Sequence, residues 1–270
     1  MVVKSWEEFV GSVSPFDIAA TVGVFDGLHL GHQALIQTVL SREPAMRSCV
    51  VTFVQNPKDV LHKSSFKGNI FSLEQKLDSL ASTGVELCVL IDFSPDFGKQ
   101  SGEQFLSKLS QAGVRFLCIG PNFRCGHNMD TSAGDLVALG QKIGVQVAIL
   151  EPVMYKGFPV SSSRVRKAIL EGNLDEARSM LGRPYEIWLS KDNQSRTSDD
   201  GNLGGKYCFH YDPYVVLPPY GVYNIGIEGN GSTPKLMRAR ITDGKICLPE
   251  IVVDSPVIRV KIFERVPKEA

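Results

Sequence analysis

The sequence predicts an α/β protein in two parts: a parallel sheet covered by helices, then a small antiparallel β-barrel-like domain. Three observations carry this. Up to about residue 185, short apolar runs alternate with longer helical patterns. The runs are continuous rather than alternating, as expected for parallel strands buried on both faces. After "GRPYEIW" the texture changes to short strand candidates separated by Pro, Gly and Asp. The domains are accordingly drawn as 1–185 and 186–270.

In the first part the strands are expected at Ile18–Phe25, Cys49–Val54, Leu87–Phe93, Phe116–Gly120 and Val145–Leu150. Helices are expected at Gly31–Ser41, Leu73–Thr83, Ser101–Gln111 and Ala133–Lys142, with Ser162–Glu171 and Leu174–Leu181 closing this half. Residues 189 to 206 are polar and rich in Gly, Ser and Asp, which reads as a loop. Strands are then expected at Gly221–Ile227, Leu236–Ile241, Ile246–Val253 and Val257–Phe263.

At 270 residues the chain is long enough to bury a sizeable core. Its formal net charge is zero with the charges well mixed, so it advertises no surface for a nucleic acid or other polyanion. The start "MVVKSWEEFVGS" carries acids and no apolar h-region, and no run is long enough to span a membrane. Six cysteines occur without a CxxC pair, and Cys49, Cys88 and Cys118 sit inside apolar stretches as small hydrophobes. Reduced thiols, a cytoplasmic location and no zinc site are expected.

The stretch "AATVGVFDGLHLGHQALI" at 19–36 puts two histidines astride a glycine where a strand gives way to a helix. Ligands of open parallel sheets bind outside the carboxyl ends of the strands. A helix start there offers unpaired N–H groups and the positive end of a macrodipole. Gly31 removes a side chain, and His29 and His32, at i and i+3, project to one side. Imidazoles donate to phosphate oxygens, and a phosphate favours their charged form. The constellation suits a nucleoside triphosphate, against the plainer reading of surface or helix-capping histidines.

"GVFDGLHLGH" resembles the HxGH signature of the nucleotidylyltransferase superfamily, and in particular of bacterial FAD synthetases. "VVTFVQNPKDVL" (50–61), "FSPDFGKQSGEQFL" (93–106), "CIGPNFRCGHNMDTSAGD" (118–135) and "VSSSRVRKAILEGNLDEARSMLGRPY" (160–185) match further segments of that family in order. The resemblance implies a Rossmann-like nucleotidylyltransferase domain of HxGH type. ATP would be bound by Gly23, Phe25, Asp26, His29, Gly31 and His32, and by Ser161, Ser162, Ser163, Arg164 and Arg166. Of these, His29, His32 and Arg166 would be catalytic. The serines precede a helix, where hydroxyls cap and N–H groups stay available, and arginine can fork two phosphate oxygens. The family uses this stretch as a pyrophosphate clamp; Ser163 stands where Thr is usual and keeps the hydroxyl.

For FMN the resemblance points to Phe53, Asn56, Pro57, Asn122, Phe123 and Arg124. Two departures touch that side: Cys125 replaces an aromatic, and Gln55-Asn56 replaces an acid and a further polar residue, leaving Pro57. For Asn122 a loop-turn role, and for Phe123 core packing, stay open beside the flavin roles.

Bifunctional members carry a riboflavin kinase barrel with a glycine-rich loop and a Pro-Thr-Ala-Asn motif for Mg-ATP. Here "DNQSRTSDDGNLGGKYCFHYDPY" stands in that place, followed by "LPPYGVY" (217–223). Gly201, Gly204 and Gly205 lack the Thr/Asn pair and read as a flexible loop, and neither Glu228 nor Glu250 sits in the context of a kinase base. The implied activity is therefore FMN adenylyl transfer: the FMN phosphate attacks the α-phosphorus of Mg-ATP in line, pyrophosphate leaves and FAD forms, without riboflavin kinase activity. Three alternatives stay open: the bifunctional enzyme, a nucleotidylyltransferase with another phosphate acceptor, and a non-catalytic flavin-binding protein.

Overall fold

The computed structural model describes residues 1–267 except 43, 62–63, 65, 95, 191–193, 197–206, 228–233 and 251–254. In chain order the first strands and helices are β1 (Val2–Ser5), α1 (Trp6–Val10), β2 (Ile18–Val22), α2 (Leu30–Leu40), β3 (Arg47–Phe53), α3 (Pro57–Leu61), α4 (Leu73–Ser82) and β4 (Leu87–Ile91). Then come α5 (Gly102–Gln111), β5 (Val114–Ile119), β6 (Arg124–Cys125), β7 (Thr131–Ser132), α6 (Ala133–Ile143), β8 (Gln146–Ile149), β9 (Met154–Tyr155) and β10 (Phe158–Pro159). The remainder is α7 (Ser162–Leu170), α8 (Leu174–Leu181), β11 (Tyr185–Ser190), β12 (Gln194–Arg196), β13 (Tyr207–His210), β14 (Gly221–Ile227), β15 (Lys235–Thr242), β16 (Lys245–Leu248) and β17 (Val257–Arg265).

The chain forms two compact units, residues 1–66 with 76–160, and 67–75 with 161–270. The first unit holds a six-stranded parallel sheet of order β1-β4-β3-β2-β5-β8. All five expected strands are present. Their continuous apolar character has a direct cause: alternate residues serve opposite faces. Ile18, Ala20 and Val22 of β2 pack with Trp6, Phe9, Phe105, Leu109 and Leu136 from α1, α5 and α6. Ala19 joins Val39 of α2 on the other face, with Phe116 and Cys118 of β5. Helices thus cover both faces, as the pattern predicts.

The chain winds from β2 through β3 to β4, then returns to β5 on the other side of β2. The sheet reverses its winding between β2 and β5, and in such sheets that crevice is where ligands bind. Three helix starts follow sequence rules closely. Ser5, Ser101 and Ser132 each form a capping box with the residue three positions on, Glu8, Gln104 and Asp135. The first of these opens α1, which with β1 the sequence reading had not marked.

The second unit contains α7, α8 and a curled seven-stranded antiparallel sheet of order β11-β17-β14-β15-β16-β13-β12. Three of the four expected strands are there; the fourth, expected at Ile246–Val253, ends at Leu248, with 251–253 outside the described residues, and β11, β12 and β13 add to them. The expected loop over 189–206 is corrected at two places: Leu189 and Ser190 complete β11, and Gln194–Arg196 forms β12. Gly201, Gly204, Gly205 and Glu228 lie outside the described residues, and Glu250 pairs with Lys235 at 2.8 Å.

The segment 67–75 is tied to this unit through backbone. Asn69 N–H donates to the Tyr214 carbonyl at 2.6 Å, Val216 N–H to the Asn69 carbonyl at 2.8 Å, and the buried Tyr185 hydroxyl to the Val216 carbonyl at 2.5 Å. The expectation of reduced thiols is corrected for one pair. Cys208 and Cys247 lie opposite each other in the β13–β16 register, 4.0 Å between Cα atoms, and are joined as a disulfide. Cys49, Cys88 and Cys118 are buried free thiols, as expected.

Gly140 shows how tightly the helices of the first unit seat. A Cβ there would fall on the Val145 carbonyl and, at 2.8 Å, on Val147 Cγ2. Gly140→Ala is expected to destabilise the protein by about 1–3 kcal/mol in urea unfolding. Gly134→Ala in the same helix, exposed and with only Ser132 Oγ at 3.8 Å, should leave the midpoint unchanged or slightly raised.

Candidate active site

The β2–α2 corner is built on unusual backbone. Phe25 (φ 51°) and Leu28 (φ 41°) take left-handed conformations on either side of Asp26-Gly27, with Gly27 at φ 77°. Non-glycine residues pay for that conformation and hold it only where the surroundings over-determine it. Here Phe25 is fully buried and Leu28 nearly so. Gly23 N–H donates to the Val51 carbonyl at 3.1 Å, and Thr52 Oγ1 to the Val24 carbonyl at 3.0 Å, which binds the turn to β3. A Cβ on Gly23 would press the Phe25 ring at 3.3 Å.

The turn delivers the two histidines to the start of α2. Their rings stack with centroids 3.7 Å apart and planes 16° from parallel, so the i, i+3 spacing does place them on one side. His29 is the N-cap: its Nδ1 accepts the His32 backbone N–H at 3.4 Å. The capping role and the phosphate role, alternatives on sequence alone, are compatible because the cap uses only Nδ1. His32 packs on the Phe25 ring at 5.0 Å, and its Nδ1 is buried with no hydrogen-bond partner among the described residues. Burial, the neighbouring His29 and then Lys76 hold the His32 ring well below the usual histidine pKa. Before any ligand arrives the ring is neutral, which refines the expectation of charged imidazoles.

Gly31 proves to be tight for a reason internal to the protein. A Cβ there would meet the His29 ring at 3.3 Å, with the Val160 carbonyl at 3.8 Å. Phe25 and Asp26, expected to touch ATP, are buried in the corner, Asp26 only 4% exposed. Lys76, 7% exposed, donates from its Nζ to the Phe53 carbonyl at 2.5 Å; burial lowers its pKa to about 8, and the charge of Asp26 raises it in part. The sequence reading had not named Lys76, although a lysine four residues before Leu80 on the apolar side of an amphipathic helix is a usable signal.

The residues expected for FMN follow β3 and β5, the two neighbours of β2. Phe53 and Phe123 pack, with Cys125 and Phe97, against one core cluster, and Phe53 meets Phe93 edge-on at 5.9 Å. Asn56 is buried and its Oδ1 accepts the Lys58 N–H at 3.1 Å, starting the short helix at Pro57. Asn122 is exposed in a turn, and Arg124 donates to the Met129 carbonyl at 3.2 Å. That loop holds Gly126, Asn128 and Met129 at positive φ.

The remaining expected residues start α7, in the second unit. Ser161 is the N-cap, its Oγ accepting the Arg164 N–H at 3.4 Å, and Ser162 and Ser163 form the first turn. Arg164 pairs with Glu176 at 3.7 Å. Arg166 is buried and its Nε donates to the Gly68 carbonyl at 2.6 Å. The sequence had placed both guanidinium groups beside the helix start; part of their capacity is committed to the fold of this unit.

The buried His32 ring makes a pH test available. Between its depressed folded value and the usual histidine value, the unfolded chain binds a proton that the folded chain does not. Stability should therefore fall on acidification below the usual range, and the His32 ring carbon–proton NMR signals should stay in the neutral position through that range. His29→Ala should in addition lose about 1 kcal/mol of capping, which His29→Asn keeps.

Comparison with known proteins places this geometry. Residues 13–164 match the FAD synthetase family. The bifunctional riboflavin kinase/FMN adenylyltransferase of Buchnera aphidicola subsp. Schizaphis graminum is 26% identical over 174 residues, covering 63% of this chain and 56% of that protein. The protein of the same name from Bacillus subtilis (strain 168) is 30% identical over 223 residues, covering 78% and 67%. The chain thus spans a little over half of one relative and two thirds of the other. In fold it resembles a crystal structure described as a macrolide-efflux protein from Streptococcus pneumoniae, with a TM-score of 0.81 at 23% identity over 100% of this chain and 92% of that one. With more than half its length matched in sequence, and an HxGH corner at the switch point of a parallel sheet, the chain belongs to the FAD synthetase family of nucleotidyltransferases.

Proposed function

We propose that the protein transfers the adenylyl group of Mg-ATP to the phosphate of FMN, making FAD and pyrophosphate. The observation that carries this reading is the stacked His29–His32 pair at the start of α2, after the central strand β2. The positive helix end and His29 act on the triphosphate, Mg²⁺ entering on the phosphate oxygens as part of the substrate. His32, neutral in the free protein, gains a proton or donates through one ring nitrogen as negative charge arrives. No covalent enzyme intermediate is needed: the FMN phosphate oxygen bonds to the α-phosphorus as the bond to the pyrophosphate oxygen breaks.

Gly23, Phe25, Asp26 and Gly31 shape that corner rather than touch the reacting atoms. Ser161, Ser162, Ser163, Arg164 and Arg166 form a second phosphate-binding element. Phe53, Asn56, Pro57, Asn122, Phe123 and Arg124 serve the flavin. We assign adenylyl transfer to residues 1–185, a riboflavin-kinase-like β domain inactive as a kinase to 186–270, and the whole to the cytoplasm. Absence of the Pro-Thr-Ala-Asn motif supports the second assignment; the bifunctional names of the relatives favour the opposite one.

Chromatography of products decides both points. FMN with Mg-ATP should yield FAD, and His32→Ala should reduce turnover on the order of 100-fold, as for loss of one preorganised donor. Near-normal turnover in that variant would remove the histidines from the mechanism. Riboflavin with Mg-ATP should remain unchanged; an FMN peak above the enzyme-free control would make the protein bifunctional.

A further inference from the structure

The turn that delivers His29 and His32 is fastened to the sheet by a hydroxyl that the reaction just described does not use. β2 pairs with β3 from Ile18 opposite Arg47 to Val22 opposite Val51, and the Gly23 N–H carries the ladder one step further, to the Val51 carbonyl at 3.1 Å. At the next residue a side chain takes over: Thr52 Oγ1 donates to the Val24 carbonyl at 3.0 Å. Cys49 and Val51 of β3 belong to the cluster that holds Trp6, Phe9 and Phe105, so Thr52, one residue beyond Val51, lies on the opposite face of the sheet, the side of α2. It is 0% exposed. A hydroxyl so far from water needs an acceptor, and the one it has belongs to the residue before the left-handed Phe25.

The two ends of the turn are tied differently. At the far end Gln33 Nε2 donates to the Leu28 carbonyl at 2.9 Å, a bond between α2 and its own lead-in. At the near end the Thr52 bond comes from the sheet. The first moves with the helix; the second fixes where the turn begins relative to β3. Between them Phe25, Gly27 and Leu28 lie at positive φ, a conformation that non-glycine residues keep only where neighbours enforce it. Once the Val24 carbonyl is released, the Phe25 peptide can rotate, and His29 shifts with its cap and its stack on His32.

We propose that Thr52 is a positioning residue for adenylyl transfer: its hydroxyl pins the Val24 carbonyl where β2 leaves the ladder, and so sets the left-handed turn that stacks His29 on His32 facing the nucleotide phosphates. The proposal rests on the adenylyl-transfer reading and adds to it a wholly buried residue that never touches ATP.

The full chain with Thr52→Val and with Thr52→Ser tests this in two arms. Valine keeps the shape of the side chain and removes the hydroxyl; serine keeps the hydroxyl and removes a methyl. Both should lower the urea midpoint, the first by removing the hydrogen bond and the second by leaving a small cavity. Activity should separate them. With FMN and Mg-ATP, Thr52→Val should lose about tenfold or more in kcat with its KM for FMN within about twofold of wild type, while Thr52→Ser keeps kcat within about threefold. A folded Thr52→Val protein with wild-type kcat, or a Thr52→Ser protein as slow as Thr52→Val, would overturn the positioning role. Should Thr52→Val not fold, Thr52→Ala takes its place with the same expectations, since it differs from Thr52→Ser by the hydroxyl alone. The second arm needs no substrate: in the ligand-free protein the His29 and His32 ring resonances should move in Thr52→Val and hold in Thr52→Ser. Resonances that hold in both variants, or move alike in both, would overturn the proposal. If the wild-type protein makes no FAD, it is the proposed function that fails, and the ring resonances still decide on Thr52.

Discussion

Everything distinctive in the first unit depends on a turn held in an unfavourable conformation. Between β2 and α2 the chain puts two large apolar residues, Phe25 and Leu28, at positive φ with only Gly27 suited to it. Their burial pays for this, together with hydrogen bonds from β3. The return is geometric. The His29 ring can cap the helix through Nδ1 while stacking on His32, and both rings lie where the helix dipole already favours negative charge. A relaxed turn would start α2 elsewhere and separate these effects.

The electrostatics of that corner are set by burial more than by charge count. Asp26 and Lys76 are both out of water, and His32 is held below the usual histidine range by desolvation first and by His29 and Lys76 second. Among the described residues the His32 Nδ1 has no hydrogen-bond partner, so the ring is held by packing on Phe25 and His29. The second unit follows another logic. Its segment 67–75 and its sheet are joined by backbone pairs around Asn69 and by the Tyr185 hydroxyl, while Arg166 secures Gly68. An arginine that serves the fold in this way has its guanidinium plane set by that bond.

The elements easiest to read were those with a single dominant signal. Continuous apolar runs marked β2, β3, β4 and β5 within a few residues, because both faces of these strands are buried and no alternation dilutes the pattern; the edge strand β8 was marked although it is partly exposed. Short elements escaped. The β1–α1 pair spans nine residues, too few for periodicity, although the Ser5–Glu8 capping box marks it. β11 and β13 are half-buried strands of an antiparallel sheet beside polar stretches, where alternation over four to six residues is a weak signal. Asn56 reads as a ligand group from its neighbourhood in the motif, and a helix cap only once the course of α3 is known.

By itself the sequence determined the parallel α/β class, the turn to antiparallel strands beyond it, the family, and the pair of histidines at a helix start, since each is written in local order: apolar runs, motif spacing and composition; the compact units themselves divide at residue 160 and draw 67–75 into the second. Tertiary structure alone decided how deeply the motif is buried: Phe25, Asp26 and His29 are all out of water, and Lys76, far along the chain, is buried with its Nζ on the Phe53 carbonyl. It also decided that Cys208 meets Cys247 and that Arg166 holds Gly68. The physical reason is the same throughout: spacing along the chain sets what a residue can present, but desolvation and partnership depend on which distant segment the sheet register and helix packing bring against it.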